Sequence, residues 1–357
     1  MVGISLLTLV PQLSGGSETY ARELIRALAR VGQLGYRVFA PSIAPDAVDG
    51  LPGTTVGSYR ASRTTAGRLR AMALASSHPG PVRRELGPAG LSALHFPLTL
   101  VIPRGTGVPV ATSILDLQHE LFPQFFSRAE RAYRRVAYRA AVRESRLVIA
   151  ISEHVKETIV ERLGVPPERV RAIHLGIDLE RLRPVDEPRE PFLLYPANHW
   201  PHKNHQRLFQ AFGQARREHP ELRLVLTGAG HERLALPAGV ESRGHVTTDQ
   251  LVELYRSAAA LAYPSLYEGF GIPCLEAMAC GCPVACSRAA SLPEICGDSA
   301  VYFDPHSVED MARGIDDVLT SPPGGGIEQA ARFTWDGCAH AHDTVYRELV
   351  AAGGSGD

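Results

Sequence analysis

Two carboxylates, Glu268 and Glu276, stand eight positions apart in AYPSLYEGFGIPCLEAMACGCPVAC, the run from Ala262 to Cys286. Between them lies a Gly-Phe-Gly turn, where Gly269 and Gly271 let the backbone come close to a bound molecule. Pro273 suits the first turn of a helix, where its missing N–H is no loss. The spacing therefore puts Glu268 on a loop and Glu276 in the opening turn of a helix. The amides of that helix start, around Ile272, attract an anion such as a phosphate. One carboxylate can accept hydrogen bonds from sugar hydroxyls while the other grips a second polyol. A nucleotide sugar carries both polyols, joined by a diphosphate.

Other segments carry chemistry-bearing side chains. Asn198-His199-Trp200-Pro201-His202-Lys203-Asn204-His205 follows the apolar run FLLYPA. Lys203 is one of only two lysines, with Lys156, against 35 arginines, which hints that a compact ammonium is needed where it stands. The histidines in this segment come at three-residue spacing, but no carboxylate or cysteine set accompanies them, so they are not read as a metal site. Asp116 and His119 follow the strand-like VPVATSIL; a histidine there can orient a hydroxyl or make a structural hydrogen bond. His95, at the end of an earlier strand, is a weaker candidate of the same kind. The pair Gly15-Gly16, in the run from Ser14 to Glu18, lets amides approach an anion at a strand-to-helix turn. Gly228 follows LRLVLT and reads as a point of close approach rather than a dinucleotide fingerprint, because Arg233 stands at the third glycine position. The six cysteines all fall in the C-terminal half and read as reduced core residues.

Elements must hold these groups in place. Short apolar strands alternate with amphipathic helices in both halves, the pattern of α/β domains with doubly wound sheets. Strands are expected near 4–10, 36–40, 92–96, 109–114 and 146–151, then near 192–196, 222–227, 259–263 and 283–286. Polar, proline-rich 181–191 reads as a linker. The domains are therefore placed at 1–183 and 184–333, with a closing helix at 334–350 and a disordered tail at 351–357. At 357 residues and 45% apolar content, the chain is long enough for two cores. From Met1 to Arg183 it carries 24 Lys and Arg against 15 Asp and Glu; the remainder carries 13 against 23. A basic first half suits an anionic acceptor, a lipid-diphosphate carrier or a membrane surface, or simply complements the acidic half. Arginines at 128, 131, 134, 135, 139, 143 and 146 line one expected helix, read either as a solvated face or as a membrane-surface site. The N-terminus lacks a basic signal-peptide start, and no run approaches about 20 apolar residues, so a cytoplasmic protein is expected.

The segment with Pro264, Ser265, Glu268, Gly269, Phe270, Gly271, Pro273, Glu276, Ala277 and Gly281 resembles the donor-site signature of retaining glycosyltransferases of family 4. The resemblance covers nearly all of 1–320 and is strongest after Phe192. It implies the GT-B fold, α/β with two facing Rossmann-like domains and a cleft between them. It also implies transfer of a sugar from a nucleoside diphosphate to an acceptor hydroxyl with retention of configuration. The acceptor would be a sugar, a glycolipid or a small molecule. No cofactor, no metal and no nucleic acid are implied, and the chain has no Asp-x-Asp motif. Contact with the inner membrane face through the basic first half fits the same picture.

Residue by residue, the resemblance assigns Glu276 to the ribose. It assigns Glu268, with the Phe270 and Gly271 backbone, to the transferred sugar. Lys203, with Gly15 and Gly16, goes to the diphosphate, and Val246 lies beside the base. Asn198 stands near where many relatives carry an arginine. Asp116 matches a family aspartate, while Leu115 replaces the histidine that usually precedes it and leaves His119 as the nearest imidazole. Same-face attack assisted by the leaving phosphate is the family's usual route, so no nucleophile is assigned. A nucleotide-sugar epimerase of the same architecture, or a non-catalytic sugar-nucleotide-binding subunit, are the other readings.

Overall fold

The computed structural model describes residues 1–11, 15–87 and 90–351. Ser14 of the first glycine motif and residues 352–357 of the expected tail lie outside the described residues. The chain forms two compact units. Unit 1 joins Met1–Gly176 to the final segment from Trp335, and unit 2 is the continuous stretch Ile177–Thr334. The division thus falls before the proline-rich stretch expected to be the linker, and 177–189 belongs to unit 2.

Unit 1 holds seven parallel strands: β1 (Val2–Ser5), β2 (Tyr36–Pro41), β3 (Gly53–Val56), β4 (Ala93–Phe96), β5 (Val110–Ile114), β6 (Leu147–Ala150) and β7 (Val170–Ala172). Their order is β3-β2-β1-β4-β5-β6-β7, and every pairing is parallel. Parallel sheets are covered on both faces, which is why β4, β5 and β6 are buried along their whole length. Strand β1 stops earlier than the expected 4–10. Leu6, Leu7, Leu9 and Val10 stay in the core, but Leu9 N–H turns back to the Leu6 carbonyl, 2.8 Å, and ends the ladder.

The final helix, Trp335–Ala351, belongs to unit 1 and packs on the first, Gly16–Val31. A buried polar network joins them to the sheet. Tyr20 Oη lies 2.8 Å from Ser113 Oγ and 3.0 Å from His342 Nε2. His95 spans Ser113 Oγ and Tyr346 Oη, both at 2.8 Å. Asp343 accepts from Tyr36 Oη and from Gln33 N–H. A buried polar group without a partner is costly, so this network fixes where the last helix docks.

Unit 2 holds six parallel strands: β8 (Glu190–Pro196), β9 (Arg223–Thr227), β10 (Val240–Ser242), β11 (Ala258–Tyr263), β12 (Val284–Ser287) and β13 (Val301–Phe303). The order is β10-β9-β8-β11-β12-β13. The direction of winding reverses between β8 and β11, which pair directly, Leu194 beside Leu261. In open α/β sheets, ligands bind beyond the carboxyl ends of the strands at such a reversal. The loop after β8 carries Lys203, and the loop after β11 carries Glu268. No helix of the described residues is long and apolar enough to cross a membrane.

Candidate functional site

Both loops at the reversal are built around side chains that donate to backbone carbonyls. Tyr195, buried in β8, donates to the Lys203 carbonyl at 2.5 Å. Asn204 adopts a left-handed φ of 60° and donates through Nδ2 to the carbonyls of Pro264 and Pro305, 3.1 and 2.8 Å. Leu266 N–H donates to the His202 carbonyl at 2.8 Å and closes the seam between the loops. Ser291 Oγ donates to the carbonyls of Glu268 and Phe270, 3.0 and 2.7 Å, and so shapes the Gly-Phe-Gly turn from beneath.

In this frame Lys203 and Glu268 meet. Lys203 Nζ donates to Glu268 Oε1 at 2.6 Å and to Tyr263 Oη at 3.0 Å. The ammonium also lies 5.1 Å from the centre of the Tyr263 ring. The two side chains are 11% and 13% exposed, enough for an entering ligand to reach them. Burial alone would raise the Glu268 carboxyl, but the Lys203 charge and hydrogen bond prevail and hold it below the ordinary range. It is a ready acceptor for hydroxyl donors.

Glu276 behaves in the opposite way. It lies in the helix Ile272–Ala279, whose N-cap is Gly271 at φ 118° with no side-chain cap. Tyr255, from the helix Thr248–Ser257, donates to Glu276 Oε2 at 2.9 Å. Burial pushes the carboxyl up to about 7, and this hydrogen bond only partly offsets it. Gly271 cannot be replaced freely: a Cβ there would stand 2.7 Å from Leu292 Cδ2, at a φ that other residues avoid. Phe270 turns its ring into the core beside Phe333, centroids 5.8 Å apart. Gly269 and Ile272 flank it, partly exposed.

The remaining sequence candidates of unit 2 are placed as follows. Asn198 is exposed, and its Oδ1 accepts from Ala229 N–H at 2.8 Å. Gly228 has φ 124°, and a Cβ there would lie 2.9 Å from the Ala197 and Asn198 backbone. That glycine is required by the close packing of two loops. Val246 is partly exposed just ahead of the helix N-cap Thr247. His205 is buried among Tyr195, His199 and His231, and neither ring nitrogen has a hydrogen-bond partner. Burial, with the neighbouring histidines, takes it down to about 3.

The unit 1 candidates form no comparable cluster. Gly15 and Gly16 are exposed, and an added Cβ on either would meet nothing within 4 Å. Asp116 Oδ1 accepts from Gln118 N–H at 3.0 Å, a local turn. His119 is buried edge-on against Tyr138, ring centroids 4.6 Å apart, with its Nε2 3.9 Å from Glu120 Oε1. Burial lowers its pKa, and Glu120 opposes this. His95 is held by its two hydrogen bonds in the core network. Unit 1 also contains a largely apolar cavity of about 560 Å³ between Leu7, Tyr59, Met72 and Tyr133, with Arg68 and Arg134 among its lining.

Sequence reasoning singled out both glutamates and the lysine, and the structure brings Lys203 and Glu268 together. It missed the residues that support them: Tyr195, Tyr255, Tyr263, Asn204 and Ser291. A buried tyrosine at a strand end, in LLYP and LAYP alike, was the available signal.

Comparison with known proteins speaks to the family and the fold. The profile described as Glycosyltransferase Family 4 matches residues 14–181, and the profile described as Glycosyl transferases group 1 matches 180–334. The chain is similar to the O-antigen chain mannosyltransferase B of Escherichia coli, 26% identical over 67% of this chain and 70% of that protein. It is 31% identical to a D-inositol 3-phosphate glycosyltransferase of Streptomyces bingchenggensis over 57% of this chain; the match spans about half, 53%, of that relative. Among solved structures, sucrose-phosphate synthase from Thermosynechococcus elongatus superposes with a TM-score of 0.74 at 19% identity, covering 98% of this chain and 99% of that one. Anabaena Alr3699/HepE, solved with UDP and glucose, gives 0.71 at 17%, covering 97% and 99%. With two Rossmann-like parallel sheets and both profiles matched in succession, the chain has the GT-B fold and belongs to the group 1 glycosyltransferases.

Proposed function

We propose that this protein transfers a hexose from a nucleoside-diphosphate sugar to an acceptor hydroxyl in glycan or glycolipid synthesis, with retention of configuration. The observation that carries the reading is the Lys203–Glu268 pair at the strand reversal of unit 2, with Glu276 on the next helix. Ionised Glu268 would accept hydrogen bonds from the hydroxyls of the transferred sugar. Lys203 would turn from Glu268 toward the diphosphate and offset the charge that develops as the sugar–phosphate bond breaks. The amides behind Gly271 add the partial positive charge of a helix start. Glu276 would take the ribose hydroxyls. Asn198, Gly228 and Val246 would line the remainder of the nucleotide's path by backbone contacts. These groups supply the positive charge without a divalent cation, so none is invoked.

Unit 1 is the proposed acceptor half. The Gly15–Gly16 amides are assigned to an anion, and Asp116 and His119 to the acceptor side. The apolar cavity with Arg68 and Arg134 suits an acceptor with an apolar portion and a phosphate. Peripheral contact with an anionic membrane surface fits the same arginines. The relatives' names mention mannosyl transfer in one case and UDP with glucose in another.

The test is calorimetric binding of UDP, GDP and dTDP, followed by turnover of the sugar nucleotide that carries the preferred base. One nucleotide should bind selectively in the absence of metal, and Glu276→Ala should abolish both binding and turnover while the fold is kept. Unchanged turnover in that variant would overturn the assignment.

A further inference from the structure

Beside the donor loop lies a cluster that the proposed transfer does not use. Cys274, Cys286 and Cys296 are completely buried free thiols, and their three Sγ atoms lie within 4.8 Å of one another. They come from three elements. Cys274 is in the first turn of the helix that carries Glu276, Cys286 is in β12, and Cys296 ends the short helix Leu292–Cys296. Among the described residues no other group of three or more ligating side chains is gathered in this way.

Buried cysteine is often only a small apolar residue, and Cys280, Cys282 and Cys338 fit that account. Three thiols converging on one point are a different matter. Three thiolates arranged in a plane about a metal, with bonds of about 2.3 Å, are about 4.0 Å apart. The trio is already near that spacing. A disulfide needs about 2.05 Å and would leave the third sulfur unpaired.

The donor set narrows the ion. Sulfur alone excludes calcium and magnesium, which take oxygen. Structural zinc takes four ligands, and the group holds three. Soft thiolates in low coordination select copper(I). We propose that Cys274, Cys286 and Cys296 form a three-sulfur site for copper(I). Binding forms three Cu–S bonds and releases the thiol protons to solvent, with no change in oxidation state. The bound ion would tie the Glu276 helix to β12 and to the helix bearing Leu292, which packs beside Gly271.

The reduced full-length protein should be equilibrated anaerobically with copper(I) held by the chromophoric chelator bathocuproine disulfonate. The expected result is one copper(I) withdrawn per chain, with three sulfur neighbours by X-ray absorption. Cys296→Ala should weaken uptake about tenfold or more, while Cys280→Ala and Cys282→Ala leave it unchanged. Should Cys296→Ala not fold, the sulfur count on the wild-type protein carries the test alone. Copper left with the chelator, a site with two sulfurs, or uptake lost in Cys280→Ala or Cys282→Ala would overturn the proposal.

Discussion

Each site glutamate has a titration that its neighbours set, and the two run in opposite directions. Glu276 is lifted to about 7, so a ribose that needs an ionised acceptor must first displace its proton below that value. Nucleotide affinity should therefore tighten from about pH 6 to about pH 8 and then level off. Calorimetry across that range checks it, with Glu276→Gln expected to bind weakly and without that slope. Stability follows with a definite sign. The folded state holds the Glu276 proton more tightly than the unfolded chain, so ionising it between about 4.5 and 7 weakens the fold. Glu276→Gln should melt higher than wild type by a margin that grows through this window. Lys203 and Glu268 must be tested together. Removing either alone strands a mostly buried charge, at a cost of about 3–5 kcal/mol, so Lys203→Ala would lose stability as well as activity. In a double-mutant cycle with Lys203→Met and Glu268→Gln, the double variant should be more stable than either single one by denaturant unfolding, yet inactive.

At the scale of elements, the donor loop is held by hydroxyl and amide donors spaced far along the chain. Ser291→Ala removes the hydroxyl that bonds the carbonyls of Glu268 and Phe270. The expected loss is about 1–3 kcal/mol by urea unfolding, with nucleotide affinity reduced. Gly271→Ala should do worse on both counts, since it adds strain at φ 118° to a clash with Leu292. Neither support was legible beforehand, because the partners of Ser291 and Asn204 are fixed only once the loops have folded. Central strands were legible, because β8, β9, β11 and β12 bury both faces and read as unbroken apolar runs. The strands that sequence reasoning passed over, β3, β7, β10 and β13, are the four sheet edges. They run to three or four residues, and GTTV and VES offer little apolar pattern to detect. The glutamates stood out for another reason: the spacing that makes them candidates is local, across one turn.

At the scale of the molecule, four buried histidines are held neutral: His342 and His202 at about 4, His205 at about 3, and His95 well below its ordinary value. Desolvation is the leading cause in each. Their unfolded counterparts take up protons near 6.5, so the fold should lose stability as pH falls from about 6.5 to about 4. Each histidine contributes at most about 1.4 kcal/mol per pH unit. Melting curves against pH check this, and replacing the buried His205 by Phe should flatten the acid limb with little loss near neutrality.

The return of the final helix to unit 1 has a consequence for synthesis. A ribosome delivers the whole of Ile177–Thr334 before it delivers Trp335–Ala351. Unit 1 therefore cannot gain the His342, Asp343 and Tyr346 partners of Tyr20, Tyr36 and His95 until the end of the chain has been made. The part of the protein translated first is the part finished last, and a chain released before Trp335 would leave Tyr20, Tyr36 and His95 of unit 1 without those partners.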